Sequence, residues 1–365
     1  MKWGYQMNLQ EFYQTYSSDC TAGSANQLLA KLDEPVLRTG RNYYRLSHGG
    51  RNYALLFSNT IDSTFSDGSI SRANDVGGRW LIHQMRVGLC AASGEEPSDW
   101  HIVTFDGKSE KVVEGPGAFC TDPIPLQAKA GDVLCYEICF EGACFPYHEE
   151  IVLPVTVWNG EEFELNKQIP VPLMIGSDRP VEVRYGFIGD SITQGCGTPV
   201  DSYEHWVARI AEELPESYSV WDLGIGYARA YDAATDGDWL GRAKTCDTVH
   251  VCFGVNDILK GRNAEQVKED LRSIVRRLKA AGRRVILFTV PPYDMVEEKK
   301  EYWYTVNTAI RGEIGALADA VFDFAKALGQ EAPNEHCSIY GGHPNSQGCA
   351  VAAKAYLEKR AAEKL

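Results

Sequence analysis

From about residue 181 to the C-terminus, compact apolar runs alternate with amphipathic helical patterns, and this alternation restricts that half of the chain more than any other feature. Residues 183–188, 219–223, 248–253 and 284–290 read as strands buried on both faces. The clearest helix is predicted over residues 263–281. Asn263 caps it, Gln266 completes a capping box, Val267, Leu271, Ile274, Val275 and Leu278 form one face, and Gly282 ends it. A further helical pattern covers residues 348–359. Repeated strand-helix units of this kind can be satisfied only by a doubly wound parallel sheet with helices on both faces.

The first half has a different texture. Between about residues 40 and 180, short β-like runs at 43–46, 53–57, 80–87, 133–140 and 151–158 are punctuated by Asp106-Gly107, Gly131-Asp132 and Asn159-Gly160. Many short strands without a long helical pattern predict an antiparallel β-sandwich, jelly-roll-like. Residues 9–16 and 25–32 read as partly helical and form an N-terminal extension. The division is therefore residues 1–180 as a β-sandwich domain with its short helical extension, and 181–365 as an α/β domain. No low-complexity linker separates them, so the two are expected to pack closely.

With 365 residues the chain is long enough for two cores, and 44% hydrophobic with 24% charged residues is ordinary globular composition. Fifty acidic against 36 basic residues give a formal charge of -14, which repels phosphate backbones and anionic lipid. Nucleic acid is thus excluded as a natural partner. No apolar run approaches a membrane span and the N-terminus lacks a signal-peptide h-region, so a soluble, unexported protein is expected. The cysteines number 11, an odd count, and Cys135, Cys139 and Cys252 lie in strand-like apolar runs. That pattern favours a reducing cytoplasm. Cys135, Cys139 and Cys144 fit no zinc spacing, and no metal is expected.

In an open parallel sheet, ligands bind beyond the carboxyl ends of the strands. Those ends here are Gly189-Asp190-Ser191, Gly224-Ile225-Gly226-Tyr227, Gly254-Val255-Asn256-Asp257 and Pro291-Pro292-Tyr293-Asp294, joined near the C-terminus by Gly341-Gly342-His343-Pro344-Asn345. A serine becomes nucleophilic when a base takes its proton and polar donors receive the oxyanion. Ser191, His343 and the Asn256 side-chain amide supply nucleophile, base and donor, and the backbone N–H groups of Ser191 and of the Gly226-Tyr227 turn complete the hole. No Gly-x-Ser-x-Gly elbow occurs, so the pattern is not that of an α/β-hydrolase.

These blocks, with Ile192-Thr193-Gln194-Gly195 behind the serine and His343-Pro344-Asn345 near the end, make the C-terminal half resemble the SGNH/GDSL hydrolase family in order and spacing. The segments Phe57-Ser58-Asn59, Val103-Thr104-Phe105-Asp106-Gly107 and Cys120-Thr121-Asp122-Pro123-Ile124-Pro125-Leu126 resemble the β-sandwich that precedes the catalytic domain in one branch of that family. The resemblance implies a flavodoxin-like catalytic fold and a cofactor-free esterase. It also implies an acetyl or other small acyl group on a carbohydrate or similar ester as substrate. Two positions depart from the family pattern. Tyr340 stands where an aspartate three residues before the catalytic histidine is usual, leaving Glu335, Asp323 or a backbone carbonyl to orient His343. Losing tautomer control can cost about 10⁴ in rate in serine proteases. Tyr227 stands where the second block has glycine, which leaves the backbone donor in place but narrows the acyl pocket.

Other readings compete. Gly-Asp-Ser also occurs in plain turns, and Asp190 and Asp257 read as structural members of their loops. Arg229 fits either the cleft or a surface ion pair. It also replaces the third glycine that Gly224-Ile225-Gly226 would need for a dinucleotide site. His148-Glu149-Glu150 lacks the second histidine of a zincin, and Trp80, Trp100 and Trp158 read as sandwich core before they read as sugar platforms. An acyltransferase or a non-catalytic glycan-binding protein on the same fold remains the alternative function. Self-association into a homo-oligomer is left open by the sequence.

Overall fold

A computed structural model describes residues 8–23, 25–62, 75–329 and 337–363. Its N-terminal part holds two antiparallel sheets. The larger runs Phe163–Leu165, Val155–Trp158, Leu28–Arg45, Val133–Tyr147, Trp80–Cys90, His101–Val103, with Lys111–Val113 also on Trp80–Cys90. The smaller runs Ser17–Ser18, Met174–Ser177, Gly49–Ser58, Ala118–Cys120, with Ile124–Lys129 also on Gly49–Ser58. Tyr53, Leu55 and Phe57 of the small sheet meet Trp80, Ile82, Tyr136, Ile138 and Phe140 of the large one in a single buried cluster, so the two sheets form a sandwich.

Alternation along a strand then decides what the small sheet does on its other side. Ala54 and Leu56, one residue out of phase with Tyr53, Leu55 and Phe57, are buried in a second cluster with Met174, Phe12 and the α/β half. The middle sheet is therefore dry on both faces. Trp221, from the parallel sheet, adds a hydrogen bond from Nε1 to Leu173 O at 2.9 Å.

The C-terminal half is a five-stranded parallel sheet in the order Tyr218–Asp222, Val183–Gly189, Thr248–Cys252, Arg284–Phe288, Ala320–Phe322. This is the flavodoxin-like order 2-1-3-4-5, whose switch point lies between the first and third strands in sequence. All five residues of Thr248–Cys252 are buried, as expected of a largely apolar run read as a strand buried on both faces. The helix Ala264–Ala280 starts on Asn263 with the predicted capping box to Gln266, worth roughly 1 kcal/mol in such positions. The last helix, Ser346–Glu363, extends beyond the predicted stretch at both ends.

Two expectations need correction. Leu9–Thr15 is helical, with Asn8 and Glu11 forming a capping box, but residues 25–32 are not. From Leu28 onward they belong to the 18-residue strand Leu28–Arg45, which pairs with Val133–Tyr147. Tertiary pairing overrides local propensity here, and the strand breaks register between Lys31 and Val36, where Pro35 cannot donate to the ladder. Residues 151–154 do not extend the Val155–Trp158 strand. The fifth parallel strand, Ala320–Phe322, is too short to have stood out in the sequence. All 11 cysteines are free. No helix among the described residues is long and apolar enough to cross a membrane.

Candidate active site

The nucleophile loop is built by a helix start. Strand Val183–Gly189 ends at the switch point, and Asp190 in extended conformation caps the short helix Ser191–Gln194, its carboxylate accepting Ile192 N–H at 3.0 Å. Ser191 is thereby the first helical residue, with its backbone N–H directed out of the helix start, where no intrahelical acceptor exists. The role read for Asp190, holding the loop, is the one this geometry gives it. Burial pushes its carboxyl up to about 7, with the nearby Asp257 charge adding to the shift.

Ser191 Oγ lies 2.8 Å from His343 Nε2, so residues 152 positions apart in sequence are hydrogen-bonded partners. The other ring nitrogen, Nδ1, lies 3.2 Å from the Tyr293 hydroxyl, with the rings edge-to-face at 5.4 Å. Burial first, then the Asp190 charge, pushes the Tyr293 phenol up to about 12, so it stays protonated at neutral pH. The approach depends on two glycines. Gly341 and Gly342 have φ of 70° and 124°, and a Cβ on either would fall 2.9–3.0 Å from Tyr293 atoms. Asp294 N–H then bonds Gly341 O, locking the two loops together. Tyr293 was on view at the end of the fourth strand, but sequence offers no signal that pairs a phenol with a histidine 50 positions later.

Of the two candidate orienting acids, Asp323 is engaged elsewhere. Asp323 accepts from Arg311 Nε and Nη2 at 2.9 Å each and from Thr289 Oγ1 at 3.0 Å, and it caps the helix Phe324–Ala327. Its oxygens are committed to that cation and cap, so it is corrected from orienting acid to structural anchor. Glu335 lies outside the described residues.

The second and third loops pack on the first. Gly224 sits against the backbone of Gln194 so closely that a Cβ there would clash. Gly226 and Tyr227 occupy the next turn, closed by Ala228 N–H to Ile225 O at 3.3 Å. Tyr227 has φ of 62°, which explains why glycine is the ordinary occupant: a left-handed non-glycine residue costs roughly 1–2 kcal/mol. Asn256, in the short helix Val255–Leu259, is nearly buried and donates one Nδ2 hydrogen to Ala228 O at 3.1 Å, leaving the second amide hydrogen for a ligand. Asp257 accepts Ala230 and Tyr231 N–H groups and is pushed up to about 7 by burial. Arg229 resolves into a third role, a buried ion pair with Asp232 at 2.7 Å.

The sandwich half reaches this site. Glu150 accepts at its carbonyl from Gln194 Nε2, its carboxylate lies 3.5 Å from Cys196 Sγ, and its charge raises the pKa of the neighbouring Tyr227 phenol. Among the described residues no group of three or more His, Cys, Asp or Glu side chains is placed to hold a metal ion. Trp80 is core, while Trp158 is partly exposed against Phe163 and Trp100 lies under the guanidinium of Arg86.

Residues 187–351 match the sequence pattern of the GDSL-like Lipase/Acylhydrolase family. Residues 187–351 carry a GDSL-like lipase/acylhydrolase domain. The matched span includes the strand ends that carry Ser191, Tyr227, Asn256, Tyr293 and His343. Solved structures similar to the chain include three bacterial proteins. A member of the lipolytic G-D-S-L family from Veillonella parvula has 21% identity over 48% of this chain and 96% of its own, with a TM-score of 0.43. A putative lipolytic protein of the same family from Desulfitobacterium hafniense has 20% identity over 48% and 99%, with a TM-score of 0.41. An acetylxylan esterase from Geobacillus stearothermophilus has 21% identity over 49% and 94%, with a TM-score of 0.39. No curated protein matches the chain.

Proposed function

We propose that this GDSL-like acylhydrolase is a carboxylic ester hydrolase that removes a small acyl group, acetyl by preference, from a carbohydrate or similar polyol ester through a Ser191-His343 acyl-enzyme mechanism. The observation that carries the reading is the 2.8 Å contact between Ser191 Oγ and His343 Nε2, made at a strand end where the Ser191 N–H points out of a helix start. With Nδ1 carrying its proton toward the Tyr293 oxygen, Nε2 is left as the acceptor that a general base requires.

In the acylation step the Ser191 oxygen bonds to the ester carbonyl carbon and its proton moves to His343 Nε2. The tetrahedral oxyanion is received by the Ser191 and Tyr227 N–H groups and the free Asn256 amide hydrogen. The C–O bond to the alcohol breaks as His343 returns the proton to it. Water then repeats the sequence on the acyl-enzyme, releasing the acid and restoring Ser191. No cofactor enters. The small-acyl preference is supported by Tyr227, whose side chain stands at the oxyanion turn near enough to Glu150 for that charge to raise its phenol pKa. The carbohydrate alcohol rests on the family resemblance of the sequence blocks.

The test is hydrolysis of 4-nitrophenyl acetate by the wild type and by Ser191→Ala. The variant is expected to lose at least about 10³ in kcat/KM, the scale of a missing nucleophile. Equal rates would remove Ser191 from the reaction. A serine-directed organophosphate adds a second readout, since a protein that merely binds glycans is not labelled, and labelling with acyl transfer to an added acceptor instead of acid release would assign a transferase.

A further inference from the structure

We infer that Gln27, a residue of the sandwich half, is a positioning residue for the oxyanion hole: it fixes which way the Gly226-Tyr227 peptide faces. The inference rests on the serine-esterase reading of the site given above. Gln27 is completely buried and stands at the head of the long strand Leu28–Arg45, its backbone N–H bonded to Tyr147 O at 3.1 Å. Its side-chain amide is used at both ends. Oε1 accepts Glu150 N–H at 2.9 Å, and Nε2 donates to Gly226 O at 3.3 Å. The N–H at one end and the carbonyl at the other fix the orientation of the amide.

What Nε2 holds is the central peptide of the turn Ile225-Gly226-Tyr227-Ala228. A positive φ at Tyr227, with none at Gly226, makes this a type II turn. Types I and II differ by a rotation of that central peptide of roughly 150–170°, which exchanges the directions of the Gly226 carbonyl and the Tyr227 N–H. A trans peptide points these two groups oppositely. Anchoring the carbonyl on Gln27 therefore aims the Tyr227 N–H away from the sandwich, and among the described residues no backbone acceptor takes it. A flipped peptide would present a carbonyl oxygen to the oxyanion and abolish the hole.

The bond matters more here than it would with glycine. Tyr227 resists the left-handed conformation, so type I is the unstrained alternative for this sequence. Gln27 at the Gly226 carbonyl holds the turn against it, and the same side chain also fixes the Glu150 backbone. The two halves of the molecule thus share one catalytic element.

The experiment compares wild type, Gln27→Met and Ser191→Ala on 4-nitrophenyl acetate, together with inhibition by methylboronic acid, which forms a tetrahedral adduct with an active-site serine. Gln27→Met keeps the side-chain length and removes both hydrogen bonds. Expected for it are a kcat about 10–100-fold lower, below the 10²–10³ of a deleted donor, KM within about threefold, and a parallel loss in boronate affinity. An unchanged pH profile is also expected, because His343 is untouched. A kcat and boronate affinity within twofold of wild type, with Ser191→Ala inactive, overturn the inference alone. Ser191→Ala retaining full activity overturns the esterase reading and the inference with it. Should Gln27→Met not fold, a crystal structure of the wild-type boronate adduct decides. Tyr227 N–H on a boronate oxygen with Gln27 Nε2 still on Gly226 O supports the assignment, and Gly226 O facing the boronate, or Gln27 detached, refutes it.

Discussion

At the residue scale, the chemistry depends on the tautomer of His343. Tyr293 is placed at Nδ1 by a pair of left-handed glycines and stays protonated because it is buried. Its oxygen can accept the Nδ1 proton and hold the ring at the serine. Tyr293→Phe is expected to lower kcat by roughly tenfold, a part of what general base catalysis supplies, with KM on a chromogenic acetate little changed. A kcat equal to wild type would show that the phenol only fills space. The strand-end residues were legible because serine, histidine and asparagine carry chemistry wherever the switch point puts them. Tyr293 and Gln27 were not legible, since a phenol or an amide gains its role only from a contact made across the fold. Asp323 misled for the converse reason: a carboxylate near the end of the chain looks available until the structure shows Arg311 and Thr289 bonded to it.

At the scale of the element, the helix Ser191–Gln194 begins on a buried carboxyl whose pKa is raised from 3.8 to about 7. The folded protein therefore binds this proton more tightly than the unfolded chain. Between the two values the folded state holds more protons, so stability falls as pH rises through that window and levels off above about 7. Asp190→Asn retains an oxygen to accept the Ile192 N–H and has no proton to lose. Its melting temperature should fall less than that of the wild type between about pH 5 and 8, read by thermal unfolding in matched buffers. Identical pH slopes would mean that Asp190 is not the group responsible. Elements with a clear pattern, such as Ala264–Ala280 and the first four parallel strands, could be read from the sequence to within a residue or two, because their burial is local to one face or complete. Residues 25–32 could not, since Leu28, Leu29 and Ala30 pair with Tyr147, Pro146 and Phe145 more than a hundred positions away.

For the whole molecule, the middle sheet makes the two halves interdependent. Its strand Gly49–Ser58 buries Tyr53, Leu55 and Phe57 in the sandwich and Ala54 and Leu56 against the α/β half. Removing either half would expose a continuous apolar face, each large side chain of which is worth about 1.5–3 kcal/mol when buried. A buried ion pair crosses the same boundary. Arg242, from the helix Asp238–Ala243, meets Asp62, which follows the strand Gly49–Ser58, and both side chains are almost wholly inaccessible. Asp62 is fixed further by accepting Asn26 N–H at 3.0 Å. Arg242→Met leaves the Asp62 charge without its cation, and breaking one side of a buried pair costs about 3–5 kcal/mol. With the unfolding entropy of a chain of this length, that is a fall in melting temperature of about 4–7 °C. Because the middle sheet belongs to both cores, calorimetry should show one transition that moves as a unit. Two resolved transitions, only one of them displaced, would show that the halves fold independently and that the oxyanion turn is held by a neighbour rather than by a shared core.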